Sequence, residues 1–90
     1  MSTYLVERYL PGHDRSWLEA ALARLRAQRT TAAYLGSTYV PEDDSCFCRF
    51  EAETADDVRE ANEIARVPFA RIVATEEIVI PRPTEKGDLS

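Results

Sequence analysis

The stretch Ala33–Ala52, AYLGSTYVPEDDSCFCRFEA, decides the fold. β-Branched and aromatic residues dominate Ala33 to Val40 and return from Ser45 to Ala52. Between them Pro41-Glu42-Asp43-Asp44 places residues that suit a turn and resist a ladder. Two strands joined by a short acidic loop make a hairpin. With that loop, Val40 faces Ser45, and strict alternation sorts the other side chains. Tyr34, Thr38, Phe47, Arg49 and Glu51 share one side, and Leu35, Ser37, Tyr39, Cys46, Cys48 and Phe50 share the other, which is the set expected to face helices.

Upstream of the hairpin, Thr3 to Leu10 (TYLVERYL) reads as a strand ending at the turn signal Pro11-Gly12. Ser16-Trp17-Leu18-Glu19 has capping-box spacing and predicts a helix from Ser16 to about Arg29, with Trp17, Leu18, Ala21, Leu22 and Leu25 as its apolar stripe. Downstream, Thr54 caps a second helix over about Ala55 to Arg66. Asp56 and Asp57 fall in its first turn, and Val58, Ala61, Ile64 and Ala65 are expected inward. Pro68 stops it, and Ile72 to Ile80 (IVATEEIVI) predicts a last strand ending at Pro81. The order β, α, β, β, α, β is that of a ferredoxin-like α+β sandwich, a four-stranded antiparallel sheet with both helices on one face. Residues 1–83 form that domain, and 84–90, without apolar periodicity, form a mobile C-terminal tail.

Ninety residues suit a single domain with a thin core, and 44% hydrophobic with 30% charged residues describe a globular chain. A net charge of −5 repels phosphate backbones and anionic headgroups, and Arg24, Arg26 and Arg29 read as a solvated helix face. Nucleic acid and membrane are therefore excluded as partners. No apolar run approaches the ~20 residues of a membrane span and no signal peptide opens the chain, so a cytoplasmic location is expected.

With both helices on one face, the opposite sheet face of a monomer should be polar. Here it carries Leu5, Tyr9, Tyr34 and Phe47 around Glu7, Arg49 and Glu51. A patch of that kind meets another chain or a ligand, and two such sheets packed together would enclose a lined cleft. A homodimer formed through the sheet is expected, with a small organic molecule in the cleft held by Glu7, Tyr9, Tyr34, Phe47, Arg49 and Glu51.

Leu5-Val6-Glu7-Arg8 with Leu10-Pro11-Gly12, Phe47-Cys48 with Glu51-Ala52, Val58-Arg59-Glu60-Ala61-Asn62, and Pro68-Phe69 with Arg71-Ile72 follow one another in this order. Together they resemble a small bacterial domain-of-unknown-function family that includes a nickel-binding, nickel-responsive protein. The resemblance spans Tyr4 to Ile80 and implies a ferredoxin-like, dimeric arrangement. Nickel-binding members are richer in helical histidine, whereas the matching stretches here read Ala20-Ala21-Leu22-Ala23-Arg24 and Ala61-Asn62-Glu63-Ile64-Ala65. The residues themselves imply no cofactor, and nickel is the one the resemblance would bring.

His13 is the only histidine and the weak candidate for a metal ligand, set in the turn Pro11-Gly12-His13-Asp14. Cys46 and Cys48 lack redox-motif spacing and read as core residues, and the acidic runs lack a calcium-loop pattern. No phosphate loop, nucleophile elbow or zinc pattern is present, so no reaction is named. The leading function is a homodimeric ligand-binding or sensing protein. One alternative is a cofactor-free monooxygenase, isomerase or cyclase in the same cleft, by fold analogy. The other is a nickel or other metal-binding protein.

Overall fold

The computed structural model describes residues 1–83, and the tail expected at 84–90 lies outside the described residues. Strand β1 (Ser2–Tyr9) leads to helix α1 (Arg15–Arg26), the hairpin β2 (Ala33–Val40) and β3 (Ser45–Ala52), helix α2 (Ala55–Ala65) and strand β4 (Arg71–Thr75). The sheet order is β2-β3-β1-β4 with every neighbour antiparallel, which is the ferredoxin-like arrangement. Among the described residues no helix is long and apolar enough to cross a membrane.

The core lies between one sheet face and the two helices. Tyr4, Val6, Cys46, Cys48 and Phe50 from the sheet meet Leu18, Ala21 and Leu25 of α1 and Val58, Ala61 and Ala65 of α2. Alternation along each strand selects these residues, and three- and four-residue steps select them along the helices.

The hairpin turn is a single 3-10 turn over Pro41–Asp43, with Asp44 in the left-handed region at φ 53°. Asn and Asp tolerate that conformation best among side-chain-bearing residues. Val40 stands opposite Ser45, as the sequence predicts. Helix α1 starts earlier than its capping-box reading. Asp14 is the N-cap, accepting from the Trp17 amide at 2.9 Å, while Glu19 bonds to Arg15 at 2.8 Å rather than reaching back to Ser16. A carboxylate two residues upstream captured the cap, and it also complements the helix dipole. Asp14→Ala should cost about 1 kcal/mol. In a domain of this size that is a fall in Tm of roughly 4–8 °C, readable by calorimetry; an unchanged melt would return the cap to Ser16.

Other departures have local causes. Helix α1 ends at Arg26 instead of about Arg29. Arg24 is more than a solvated charge, because its guanidinium donates to the Ala65 and Arg66 carbonyls at the end of α2, 2.8 and 3.4 Å away. Cations there satisfy carbonyls that the helix cannot. Within α2, Ile64 points outward at 57% exposure and Asn62 takes the inward position, fully buried. Strand β4 stops at Thr75 rather than Ile80.

The largest departure is a β-bulge. Tyr34 pairs with Phe50 and Gly36 with Arg49, leaving Leu35 without a partner. One extra residue reverses the facing of everything on its far side. Tyr34 therefore turns to the helix side, where its ring lies 5.5 Å from Phe50 and under the Arg26 guanidinium at 5.0 Å. Leu35 is left 46% exposed. Gly36, at φ 152°, sits where an added Cβ would come within 2.7 Å of Arg49 Nη2.

Candidate functional site

The sheet face away from the helices is open. Cross-strand pairing sets Leu5 beside Arg49, Glu7 beside Phe47 and Tyr9 beside Ser45, with Thr38 opposite Phe47 and Val73 opposite Leu5. Of the six residues expected to line a cleft, Glu7, Tyr9, Phe47, Arg49 and Glu51 share this face, because each keeps its parity along an unbroken ladder. Tyr34 does not, for the bulge carries it to the other side.

The charges on the open face pair across strands only in part. Glu7 bonds to Arg71 of β4 at 2.9 Å, an ion pair in which the arginine side chain is 65% exposed, so screening leaves it little energetic weight. Arg49 makes no ion pair with Glu7, Glu51 or any other group among the described residues, and its guanidinium lies against the space left by Gly36. Glu51 is exposed at the far end of β3, opposite Thr3 and Ala33.

His13 is occupied otherwise than as a ligand. Its ring stacks on Trp17, with centroids 3.7 Å apart and planes at 18°. Cys46 and Cys48 are fully buried on the helix side, their Sγ atoms 3.9 Å apart. Among the described residues no group of three or more His, Cys, Asp or Glu is arranged to hold a metal ion.

On the helix side lies a polar network that motif reading misses. Arg8 is only 2% exposed and faces no carboxylate. Its guanidinium donates to Asn62 Oδ1, to the Pro68 carbonyl at 3.0 Å, to the Val67 carbonyl at 3.4 Å, and through Nε to Cys48 Sγ at 3.4 Å. Asn62 is fixed in turn by donating Nδ2 to the Val58 carbonyl at 2.7 Å. Beyond Cys48, Ser37 Oγ lies 2.8 Å from its sulfur and Tyr34 Oη lies 2.5 Å from Ser37.

This surrounding divides the two thiols. A hydrogen bond from Cys46 is the largest influence on Cys48 and favours its thiolate. Burial opposes this, while the Arg8 charge and the Ser37 hydroxyl act with Cys46, bringing Cys48 down to about 6. Cys46, the donor of that bond and itself buried, is pushed up. A buried guanidinium needs a counter-charge, and the Cys48 thiolate is the nearest group able to supply one. Two surface cavities flank the network. One of about 440 Å³ is lined by Asn62, Arg66, Pro68 and Phe69, and one of about 350 Å³ lies between α1 and β2 against Ser37 and Tyr39.

The signal for this network was present in the strand alternation, since Arg8 shares parity with the core residues Tyr4 and Val6. Such a residue is passed over because arginine is seldom fully buried.

No curated protein matches the chain. Among solved structures, the crystal structure of SCO4226 from Streptomyces coelicolor A3(2) is similar with a TM-score of 0.77. That likeness covers 87% of this chain and 100% of the other at 15% sequence identity, which speaks for the fold. The family model described as "Nickel responsive protein SCO4226-like" matches residues 4–74. That span is most of the chain, and the chain belongs to the SCO4226-like nickel responsive protein family.

Proposed function

We propose that two copies of the chain pair through their open sheet faces and that the cleft so enclosed binds a small organic anion. The observation that carries this is Arg49. It is a guanidinium without an ion-pair partner among the described residues, set in the ladder beside Leu5 and two residues from Phe47 on the same face. Enclosing such a group between two sheets without an anion would leave a desolvated charge uncompensated. A carboxylate, phosphate or sulfonate would meet it as a bidentate acceptor, while the apolar neighbours would hold a hydrocarbon or ring portion.

The family's name raises nickel as a second reading. The residues of one chain do not fit it. Both thiols are sealed in the core, the His13 ring is stacked on Trp17, and no cluster of three ligands occurs among the described residues. A transition-metal site needs several donors converging on one point.

Anilinonaphthalene sulfonate, an aromatic anion, serves as the probe. Saturable fluorescence enhancement is expected with the wild-type dimer. Arg49→Leu should keep the dimer by sedimentation while weakening probe binding at least tenfold. Equal binding by the two proteins would remove Arg49 from any ligand site, and a monomeric wild-type chain at ~100 μM would remove the cleft itself.

A further inference from the structure

We infer that Cys46 and Cys48 are a reactive dithiol that hydrogen peroxide oxidises to an intrachain disulfide, with Cys48 attacking the peroxide and Cys46 resolving the product. The ground is the set of groups around the sulfurs. A core cysteine sits among apolar side chains and behaves as a small hydrophobe. Cys48 Sγ instead meets three polar groups: Arg8 Nε donates to it at 3.4 Å, Ser37 Oγ lies at 2.8 Å and the Cys46 thiol at 3.9 Å. Strand pairing fixes all of them, since Ser37 stands opposite Cys48 and Arg8 opposite Cys46.

Each group has a part in the chemistry. A thiolate, not a thiol, is the nucleophile, and the hydrogen bond from Cys46, with the Arg8 charge and the Ser37 hydroxyl, outweighs burial in favour of that form. Cys48 Sγ attacks one peroxide oxygen. A sulfur–oxygen bond forms, the oxygen–oxygen bond breaks, and the departing hydroxide takes the Cys46 proton and leaves as water. The Cys46 thiolate then attacks the sulfur of the Cys48 sulfenic acid. The disulfide forms, and the second hydroxide leaves as water with a proton from solvent. The two sulfurs lose two electrons together, and one peroxide becomes two waters.

Burial selects the oxidant. Both thiols are fully buried, yet Ser37 touches Cys48 Sγ and also lines the cavity of about 350 Å³ between α1 and β2. Rotation of that one side chain admits a neutral molecule barely larger than water, whereas a hydrated metal ion is shut out. The product is a reversible bridge. Side chains two apart on a strand point the same way, but their Cα atoms stand about 6.6 Å apart, near the upper limit that a disulfide spans. A bridge formed under such tension is easily reduced, as a switch requires. Oxidation also removes the anion beside Arg8, whose guanidinium ties β1 to the Val67 and Pro68 carbonyls, so the oxidised domain should melt lower.

The test uses the full chain and a modest excess of hydrogen peroxide. The intact mass should fall by two hydrogens, iodoacetamide added after unfolding should label neither cysteine, and dithiothreitol should reverse both results. Between pH 7.5 and pH 6.5 the rate should fall less than about twofold, whereas an ordinary thiol slows about tenfold. Cys46→Ser should gain oxygen instead of forming a bridge, and Cys48→Ser should react at least tenfold more slowly. Should either variant fail to fold, the wild-type mass, labelling and rate still decide. An unchanged wild-type mass, a disulfide between chains, oxygen gained without a bridge, or the pH dependence of an ordinary thiol overturns the inference, as does a Cys48→Ser protein that reacts at the wild-type rate.

Discussion

Arg8→Met should destabilise the domain by about 3 kcal/mol or more, a fall in Tm of roughly 15 °C. Replacing a buried charge by an apolar side chain is often neutral where its partners leave with it. Here they stay. Asn62 Oδ1 and the Val67 and Pro68 carbonyls would lose their donor inside the core or at its margin, and each unsatisfied buried acceptor costs about 1–3 kcal/mol. Methionine fills the volume of the arginine stem but not of its planar head, which adds a packing loss. Arg8→Met/Asn62→Leu should recover part of the deficit, since one orphaned acceptor is removed along with the donor. A single variant melting within a few degrees of wild type would mean that water takes the place of the guanidinium.

The second large effect is a dependence of stability on pH set by Cys48. Its folded pKa, about 6, lies below the ~8.5 of an unfolded cysteine. Between those values the unfolded chain binds a proton that the folded chain does not, so stability rises with pH across that window. The contribution is fully present above about pH 8.5 and is lost as pH falls through 6, with a magnitude on the order of 1–3 kcal/mol. Cys46 acts with the opposite sign, since its raised pKa gives stability present below ~8.5 and lost at higher pH. Urea midpoints at pH 6 and pH 8.5 should therefore differ in the wild type and converge in Cys48→Ser. Arg8→Met should flatten the profile as well, because the thiolate loses its cation. A slope that survives in Cys48→Ser would locate the titration in another group.

The hairpin and the element order were legible because their signals are local. Proline and acidic residues at 41–44 interrupt two β-rich runs, and alternation along β1 and β3 survives intact from Leu5 to Tyr9 and from Phe47 to Glu51. That is why five of the six residues expected to line a cleft share one face. Tyr34 was lost to the bulge, for which Gly36 is the only local mark, and a glycine in a strand is equally at home in a regular ladder. The end of β4 was illegible for a different reason. Residues 72–80 have strand composition throughout, but a strand needs a neighbour, and composition does not say where the neighbour stops. Arg8 was readable from parity, yet no motif announces an arginine whose partners are two carbonyls, an amide and a thiol on separate elements.

The bulge at Leu35 also bears on how the chain can assemble. Strand β2 is one of the two outer strands, and the other is β4. An outer strand recruits a further strand only where its amides and carbonyls keep regular spacing, and an unpaired residue breaks that spacing and twists the strand away. With one border spoiled and one intact, the subunit is, in polymer terms, monofunctional. Were two chains to join edge to edge through the β4 side, the assembly would therefore stop at two rather than propagate into a fibre.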